Sequence, residues 1–290
     1  MEFDLTFQHQ LLNSHLAKLT NDDLTVIGAG QRTGDVDVLL KWYWNRDLLP
    51  ALKPVYYASH PNIFVLGSWG SGKTVNLAAI AFLECLTKSY FRFVNVAPVG
   101  RQALVMFKFL RDMIRDNDRI EHLITKTVAR PYPIIRFWNG STAEFLTAKP
   151  EYLDYLQGEE FDQVNIDEAA LLDNFERTVG VVRSRLRGKR HRIGVPRSRK
   201  LTVTTVPGYD EILRDRYERG LKENPDFLSI KITAQHNPHL DPEDIRLMLI
   251  DVPDEDIPIY MDCEWPEIMG RLIQAAHYDA CEDITLNIEM

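Results

Sequence analysis

The sequence has little cysteine, no long apolar run and, over one stretch, no acidic residue at all. Its three cysteines, Cys85, Cys263 and Cys281, show neither paired nor metal-ligand spacing. That excludes a disulfide scaffold and reads as a reduced, cytosolic chain. Cys85 falls in an apolar helical stretch, as a small core residue does. No apolar run approaches the roughly 20 residues needed to span a bilayer. The opening residues, MEFDLTFQHQ, are acidic and polar, unlike a secretory signal. From Arg183 to Lys200 there are nine Lys/Arg and no Asp or Glu, although the chain's formal net charge is −8. Such a block suits contact with a polyanion; it equally suits a solvated loop.

What is present is a full core's worth of apolar residues, 45% of 290, and one stretch around which the rest can be arranged. Ile63 to Leu66 is an apolar run. It meets Gly67, Ser68, Trp69, Gly70, Ser71, Gly72, Lys73 and Thr74, the pattern G-x-x-x-x-G-K-T. Glycines there let backbone N–H groups turn inward around a polyphosphate. The lysine reaches the terminal phosphates, and the threonine hydroxyl is a Mg²⁺ ligand. The helix that follows points its positive end at the same phosphates. The expected cofactors are therefore ATP and Mg²⁺.

Read in order, residues 1–60 form an N-terminal helical segment packed on the main domain. It has helical periodicity from Phe3 to Leu19 and again around DVLLKWYWNRDLLPAL. Trp42 and Trp44 there read as core or as a ligand platform. After the loop, Val75–Leu86 is apolar on all sides, as a helix buried against a sheet must be. Phe91–Ala97 reads as a strand and residues 101–115 as an amphipathic helix. Asn139-Gly140 between alternating runs predicts an antiparallel hairpin. Tyr152–Gly158 reads as a loop, Phe161–Ala169 as a strand ending in Asp167-Glu168, and Asn174–Leu186 as a helix. Further strands fall at Leu201–Val206 and Phe227–Ala234, with helices at 210–220 and 243–250. Five strands alternating with helices give an α/β fold with a mainly parallel sheet flanked by helices, plus the hairpin. Its class is the P-loop NTPase of ASCE/RecA-like type. The motor domain spans 61–270, and 271–290 is a tail or linker.

Ligands of such sheets sit at the carboxyl ends of the strands. That places Lys73, Thr74, Asp167, Glu168, Thr204 and Thr205 together. Asp167 would hold Mg²⁺ with Thr74 from the adjacent strand. Glu168, one residue further on, would orient and polarise the attacking water. Thr204 and Thr205 would hydrogen-bond Glu168 or the γ-phosphate and report hydrolysis; plain strand propensity explains them as well. Tyr56 or Tyr57 is the candidate adenine contact.

GSWGSGKT, NIDEAALL and TVTTVPG, followed by QHNPHLDPEDI and DCEWPE, together resemble the ATPase domain of the large terminase subunit of tailed bacteriophages, over about residues 55–270. YLQG, before the acidic strand, resembles a segment of the same family. The resemblance implies an ATP-hydrolysing motor that translocates double-stranded viral DNA into a procapsid. It implies a homo-oligomeric ring on the portal protein, a small terminase subunit as partner, and the host cytoplasm as location. The basic residues Arg187, Lys189, Arg190, Arg192, Arg197, Arg199 and Lys200 would face DNA. Two departures stand out. Trp69 occupies about the place where many terminases carry an arginine in the loop. Gln157 stands where some carry an arginine finger. The transition-state arginine is left open among Arg101, Arg183, Arg185 and Arg187, acting in trans or lying on the surface. No cluster of spaced Asp/Glu with a suitable strand follows residue 270, so no nuclease activity is expected of this chain. A helicase-like DNA-dependent ATPase and a nucleotide-gated assembly module with little turnover are the alternatives.

Overall fold

The computed structural model describes residues 35–44, 47–121, 123–156, 158–187 and 199–266. The expected Phe3–Leu19 helix, the 271–290 tail, the Trp42 and Trp44 side chains, Gln157 and residues 188–198 lie outside what is described.

In chain order the elements are α1 (Val36–Trp44), a 3-10 turn (Pro50–Leu52), α2 (Lys53–Tyr57), β1 (Asn62–Gly67), α3 (Lys73–Thr87), β2 (Arg92–Ala97) and α4 (Gly100–Arg115). Next come α5 (Asp118–Glu121), β3 (Ile124–Val128), β4 (Ile134–Phe137), β5 (Thr142–Thr147), α6 (Pro150–Tyr155), β6 (Gln163–Ile166) and α7 (Phe175–Arg185). β7 (Lys200–Thr205), α8 (Glu211–Arg219), β8 (Phe227–Ile232), α9 (Pro242–Met248) and α10 (Ile257–Asp262) follow, with further 3-10 turns at Ala169–Leu171 and Ala234–His236.

The strands form one sheet in the order β3-β4-β5-β2-β6-β7-β1-β8. Pairing is parallel from β5 through to β8 and antiparallel for β3–β4 and β4–β5. The predicted hairpin forms, but its second strand also joins the parallel sheet beside β2. Asn139 and Gly140 make its turn; Gly140 sits at φ +77° with the Tyr90 ring where a Cβ would point. β3 is an addition to the sequence reading. Its Ile-Thr-Lys-Thr-Val is a solvated edge strand with little buried apolar signal. The stretch read as a loop from Tyr152 begins inside α6, which Pro150 starts at its first position. The stretch around residues 37–52 is not one helix: α1 ends at Trp44, and Pro50 opens a separate turn.

Helices cover both faces, so the central strands β1, β6 and β7 are buried throughout. One core lies between the sheet and α1, α3 and α4, and holds Ile63, Val65, Phe93, Ala143 and Phe145 from the strands. The other lies against α7 and α8, and holds Phe64, Leu66, Val94, Val96, Val164, Ile166, Leu201 and Val203. Alternation along each strand assigns its residues to the two faces. β7 lies between β1 and β6, so the acidic strand is one strand removed from the phosphate-loop strand rather than next to it.

Candidate nucleotide site

The loop after β1 is held in shape by its neighbours. The Ser68 N–H donates to Ile232 O at 3.0 Å and the Trp69 N–H to Tyr260 O at 2.9 Å. The Ser71 hydroxyl donates to Ser68 O at 2.7 Å. Asn237 Nδ2 donates to Gly70 O at 2.7 Å. Gly70 has φ +69°, a left-handed backbone that favours glycine, and a Cβ there would meet the movable tip of Leu240, with Cδ2 at 2.5 Å. Gly72, at φ +77°, precedes the first turn of α3. Asn76 Nδ2 donates to Gly72 O at 2.8 Å, and its Oδ1 accepts the Leu49 N–H at 2.9 Å. The first-turn N–H groups of Lys73, Thr74 and Val75 have no acceptor within the helix and remain available to an anion.

At the carboxyl edge of the sheet the charged residues converge. Lys73 Nζ lies 3.4 Å from Glu168 Oε1, with the two side chains 8% and 25% exposed. Thr74 Oγ1 lies 3.5 Å from Asp167 Oδ2. Thr204 Oγ1 donates to Asp167 Oδ1 at 2.6 Å. Burial, and secondarily the neighbouring Glu168 charge, push the Asp167 carboxyl up to about 6; the Thr204 bond and Lys73 act the other way. Glu168 sits in the left-handed region at φ +52°, ψ +49°. That is an uncommon and mildly strained conformation for a residue with a side chain, of the kind found at functional sites.

The donors present suit Mg²⁺. A hydroxyl and a carboxylate oxygen lie side by side at the loop, and the carboxylate is buried with its charge penalised, which a cation would relieve. Among the described residues no cluster of three or more His, Cys, Asp or Glu offers an alternative metal cage.

Several expectations need correction. Thr204 contacts Asp167, not Glu168. Thr205 Oγ1 accepts the Ala170 N–H at 3.0 Å and donates to Val206 O at 2.6 Å, so it braces the segment after Glu168. Lys200 does not face outward. It is 7% exposed, and its Nζ donates to Val55 O at 3.1 Å and Tyr56 O at 3.4 Å. Burial accordingly lowers its pKa. Val55 and Tyr56 therefore sit by the first residue of β7, at the amino edge of the sheet. Strands of this length put that edge roughly 17–20 Å from the phosphate loop, too far for Tyr56 to contact the adenine. Tyr57 continues the same helix turn, and its hydroxyl accepts the Val36 N–H at 2.8 Å.

The arginine candidates separate. Arg183 donates to Pro61 O at 3.2 Å and Asn62 Oδ1 at 2.5 Å. Arg185 O accepts the Phe161 N–H at 2.9 Å, and Arg187 Nε donates to Ser184 O at 2.9 Å. All three lie at the amino edge, away from this chain's own site. Arg101 is exposed in the first turn of α4, at the carboxyl edge. Arg199 enters β7 at the amino edge. Lys189, Arg190, Arg192 and Arg197 lie outside the described residues. Sequence reasoning missed Asn76, Asn237 and Tyr260; Asn237 was visible only as part of an NPHL signature without a stated task.

Comparison with known proteins follows the same lines. Residues 64–274 match the family described as terminase large subunit, T4likevirus-type, N-terminal. The chain belongs to this large terminase family. No curated protein matches it. Among solved structures, the large terminase ATPase domain of Thermus phage P74-26 superimposes with a TM-score of 0.58 at 16% identity, covering 78% of this chain and 97% of that one. The large terminase of another thermophilic bacteriophage gives 0.59 at 18% identity, covering 76% of this chain and 54% of that one. The latter protein in complex with ATP-gamma-S gives 0.56 at 19% identity, covering 75% and 52%. At these identities the likeness concerns the fold: a P-loop α/β terminase ATPase domain. The terminase chain described here spans about half the length of that second phage protein.

Proposed function

We propose that this terminase chain is the ATP-hydrolysing motor of viral DNA packaging, translocating double-stranded DNA into a procapsid. The observation that carries this reading is the convergence of Lys73, Thr74, Asp167 and Glu168 at one edge of the sheet, within 3.5 Å of one another in pairs. The loop N–H groups and the start of α3 bind the polyphosphate. Lys73 exchanges Glu168 for the terminal phosphates when nucleotide enters. Released from Lys73, Glu168 orients the attacking water and takes its proton at a carboxylate oxygen. Thr74 and Asp167 would hold Mg²⁺, which supplies positive charge at the phosphates.

Translocation needs a DNA contact. The basic block supplies it through Arg187, Lys189, Arg190, Arg192, Arg197 and Arg199, without Lys200. Its described flanks emerge at the amino edge, so DNA and nucleotide would meet opposite ends of the sheet. A ring of subunits on the portal protein, recruited with the small terminase subunit in the host cytoplasm, is the assembly this reading calls for. Arg101, exposed at the carboxyl edge, would serve a neighbouring subunit's nucleotide.

The test is steady-state ATP hydrolysis with Mg²⁺, with and without double-stranded DNA. DNA-stimulated turnover that Lys73→Ala abolishes is expected; turnover unaffected by Lys73→Ala overturns the reading. A second reading, a nucleotide-gated assembly module, is favoured by one observation: in this conformation Glu168 is committed to Lys73. Nucleotide binding that assembles subunits without turnover would select it.

A further inference from the structure

The sheet face toward α3 changes character from strand to strand. β1, β2 and β5 present Ile63, Val65, Phe93, Ala143 and Phe145 to that core. On the same face β6 and the residue just after it present Gln163, Asn165 and Asp167, and β7 presents Lys200, Thr202 and Thr204. None of the six is more than 7% exposed. A polar seam therefore runs through an otherwise apolar core, from the amino edge to the nucleotide site. Register sets it in rows. Asn95 of β2 is beside Asn165, and Asn165 is beside Thr202. The row above, two residues on, is Asp167 and Thr204.

Polar groups in such a place are costly. Each one left without a partner costs about 1–3 kcal/mol, and valine or leucine would fit a central strand without that cost. Asn165 Nδ2 donates to Asn95 Oδ1 at 2.6 Å. Asn95 Nδ2, Asn165 Oδ1 and Thr202 Oγ1 have no partner among the described residues. The three residues are 0%, 1% and 0% exposed. Swapping amide orientations changes nothing: one amide bonded to another always leaves one nitrogen donor and one oxygen acceptor over. A cation is a poor match for a set that includes an N–H donor. Water, which donates two bonds and accepts two, fits it, and buried polar groups are commonly satisfied in this way.

We propose that an enclosed water bridges Asn95, Asn165 and Thr202, and that this hydrated row positions Asp167 and Thr204 for the reaction. The row fixes the two strands immediately beneath the carboxylate and the hydroxyl that holds it. Asn95, Asn165 and Thr202 touch neither nucleotide nor metal and are positioning residues. The kinetic part rests on the ATPase reading above; the water itself does not.

Two arms test it. In the first, kcat and KM for ATP are measured for Thr202→Val and Thr202→Ser. Valine keeps the shape and removes the hydroxyl; serine keeps the hydroxyl. Thr202→Val should lower kcat by about threefold or more, short of the roughly tenfold expected for a direct partner of a metal-holding side chain, with KM within about twofold. Thr202→Ser should stay close to the unsubstituted protein in both constants. The inference is overturned if valine matches the unsubstituted protein, or if serine falls as far as valine. In the second arm, a high-resolution crystal structure of the unsubstituted protein decides the matter even where Thr202→Val does not fold or no turnover is measurable. Water density within hydrogen-bond distance of Asn165 and Thr202 supports the inference. A dry seam or a monovalent cation there overturns it, whatever the ATPase assay gives.

Discussion

Trp69 lies flat on Tyr260, with ring centroids 4.1 Å apart and planes 17° from parallel. The same two residues share the Trp69 N–H to Tyr260 O bond. The loop residue that departs from the usual terminase pattern is thus an anchor for α10. Asn237 and Leu240 press on Gly70 from the same C-terminal stretch. A stack of this kind contributes about 0.5–1.5 kcal/mol beyond area burial. Trp69→Ala and Tyr260→Ala should each weaken nucleotide binding about two- to tenfold, because the loop must then be ordered by the ligand. Titration calorimetry with ATP-gamma-S measures this; unchanged affinity in both would remove the stack from the site.

Glu168→Gln should separate binding from turnover. It removes the carboxylate that restrains Lys73 and, on the proposed reading, the group that activates water. Nucleotide affinity should hold or rise, while the hydrolysis rate falls at least about 100-fold. Parallel binding and turnover assays check it, and near-normal hydrolysis would return Glu168 to a structural role.

Asp167 gives a pH signature. Its folded carboxyl is raised to about 6 from 3.8. Between those values the folded protein keeps a proton that the unfolded chain releases. Stability therefore falls as pH rises from about 4 to about 6, by on the order of 2–3 kcal/mol in all. Asp167→Asn cannot ionise and should be the more stable protein above about pH 6 in magnesium-free buffer. The gap should close toward about pH 4. Denaturant titrations at several pH values read it out, and a gap that does not change with pH contradicts the assignment. Added Mg²⁺ should narrow the gap at neutral pH by binding only the native carboxylate.

The basic block and its last residue should behave differently. Joint neutralisation of Arg190, Arg192, Arg197 and Arg199 should flatten the salt dependence of DNA binding. Lys200→Met should leave that slope alone and lower stability instead, since Val55 O and Tyr56 O lose their donor. A slope that follows Lys200 would overturn its placement in the core.

The legible parts of this fold were those with a period or a spacing. The apolar run into Gly67–Thr74, the strand ending in Asp167-Glu168 and the Asn139-Gly140 turn all carry local signals, and each element formed where expected. What stayed hidden was long-range or bland in sequence. β3 is a solvated edge strand with no apolar alternation to betray it. Lys200 closes a basic run in sequence, yet the alternation of β7 turns its side chain into the core. Thr204 was seen, but its partner depends on β7 lying beside β6 and on their register, which sets Thr204 on the same face as Asp167 and not Glu168. Asn237 and Tyr260 reach Gly70 and Trp69 across more than half the chain, where no spacing rule reaches.

β7 begins beside the basic segment and ends at Asp167. It is paired in parallel with β1 along Leu201–Thr205 and with β6 along Lys200–Val203. A pull applied at its amino end would load both ladders in shear, many hydrogen bonds at once, rather than unzip them one by one. In mechanical terms β7 is a stiff member of the frame, held along both sides. Tension arriving near Arg199 would meet, at the far end of the same strand, the Thr204 hydroxyl that grips the Asp167 carboxylate.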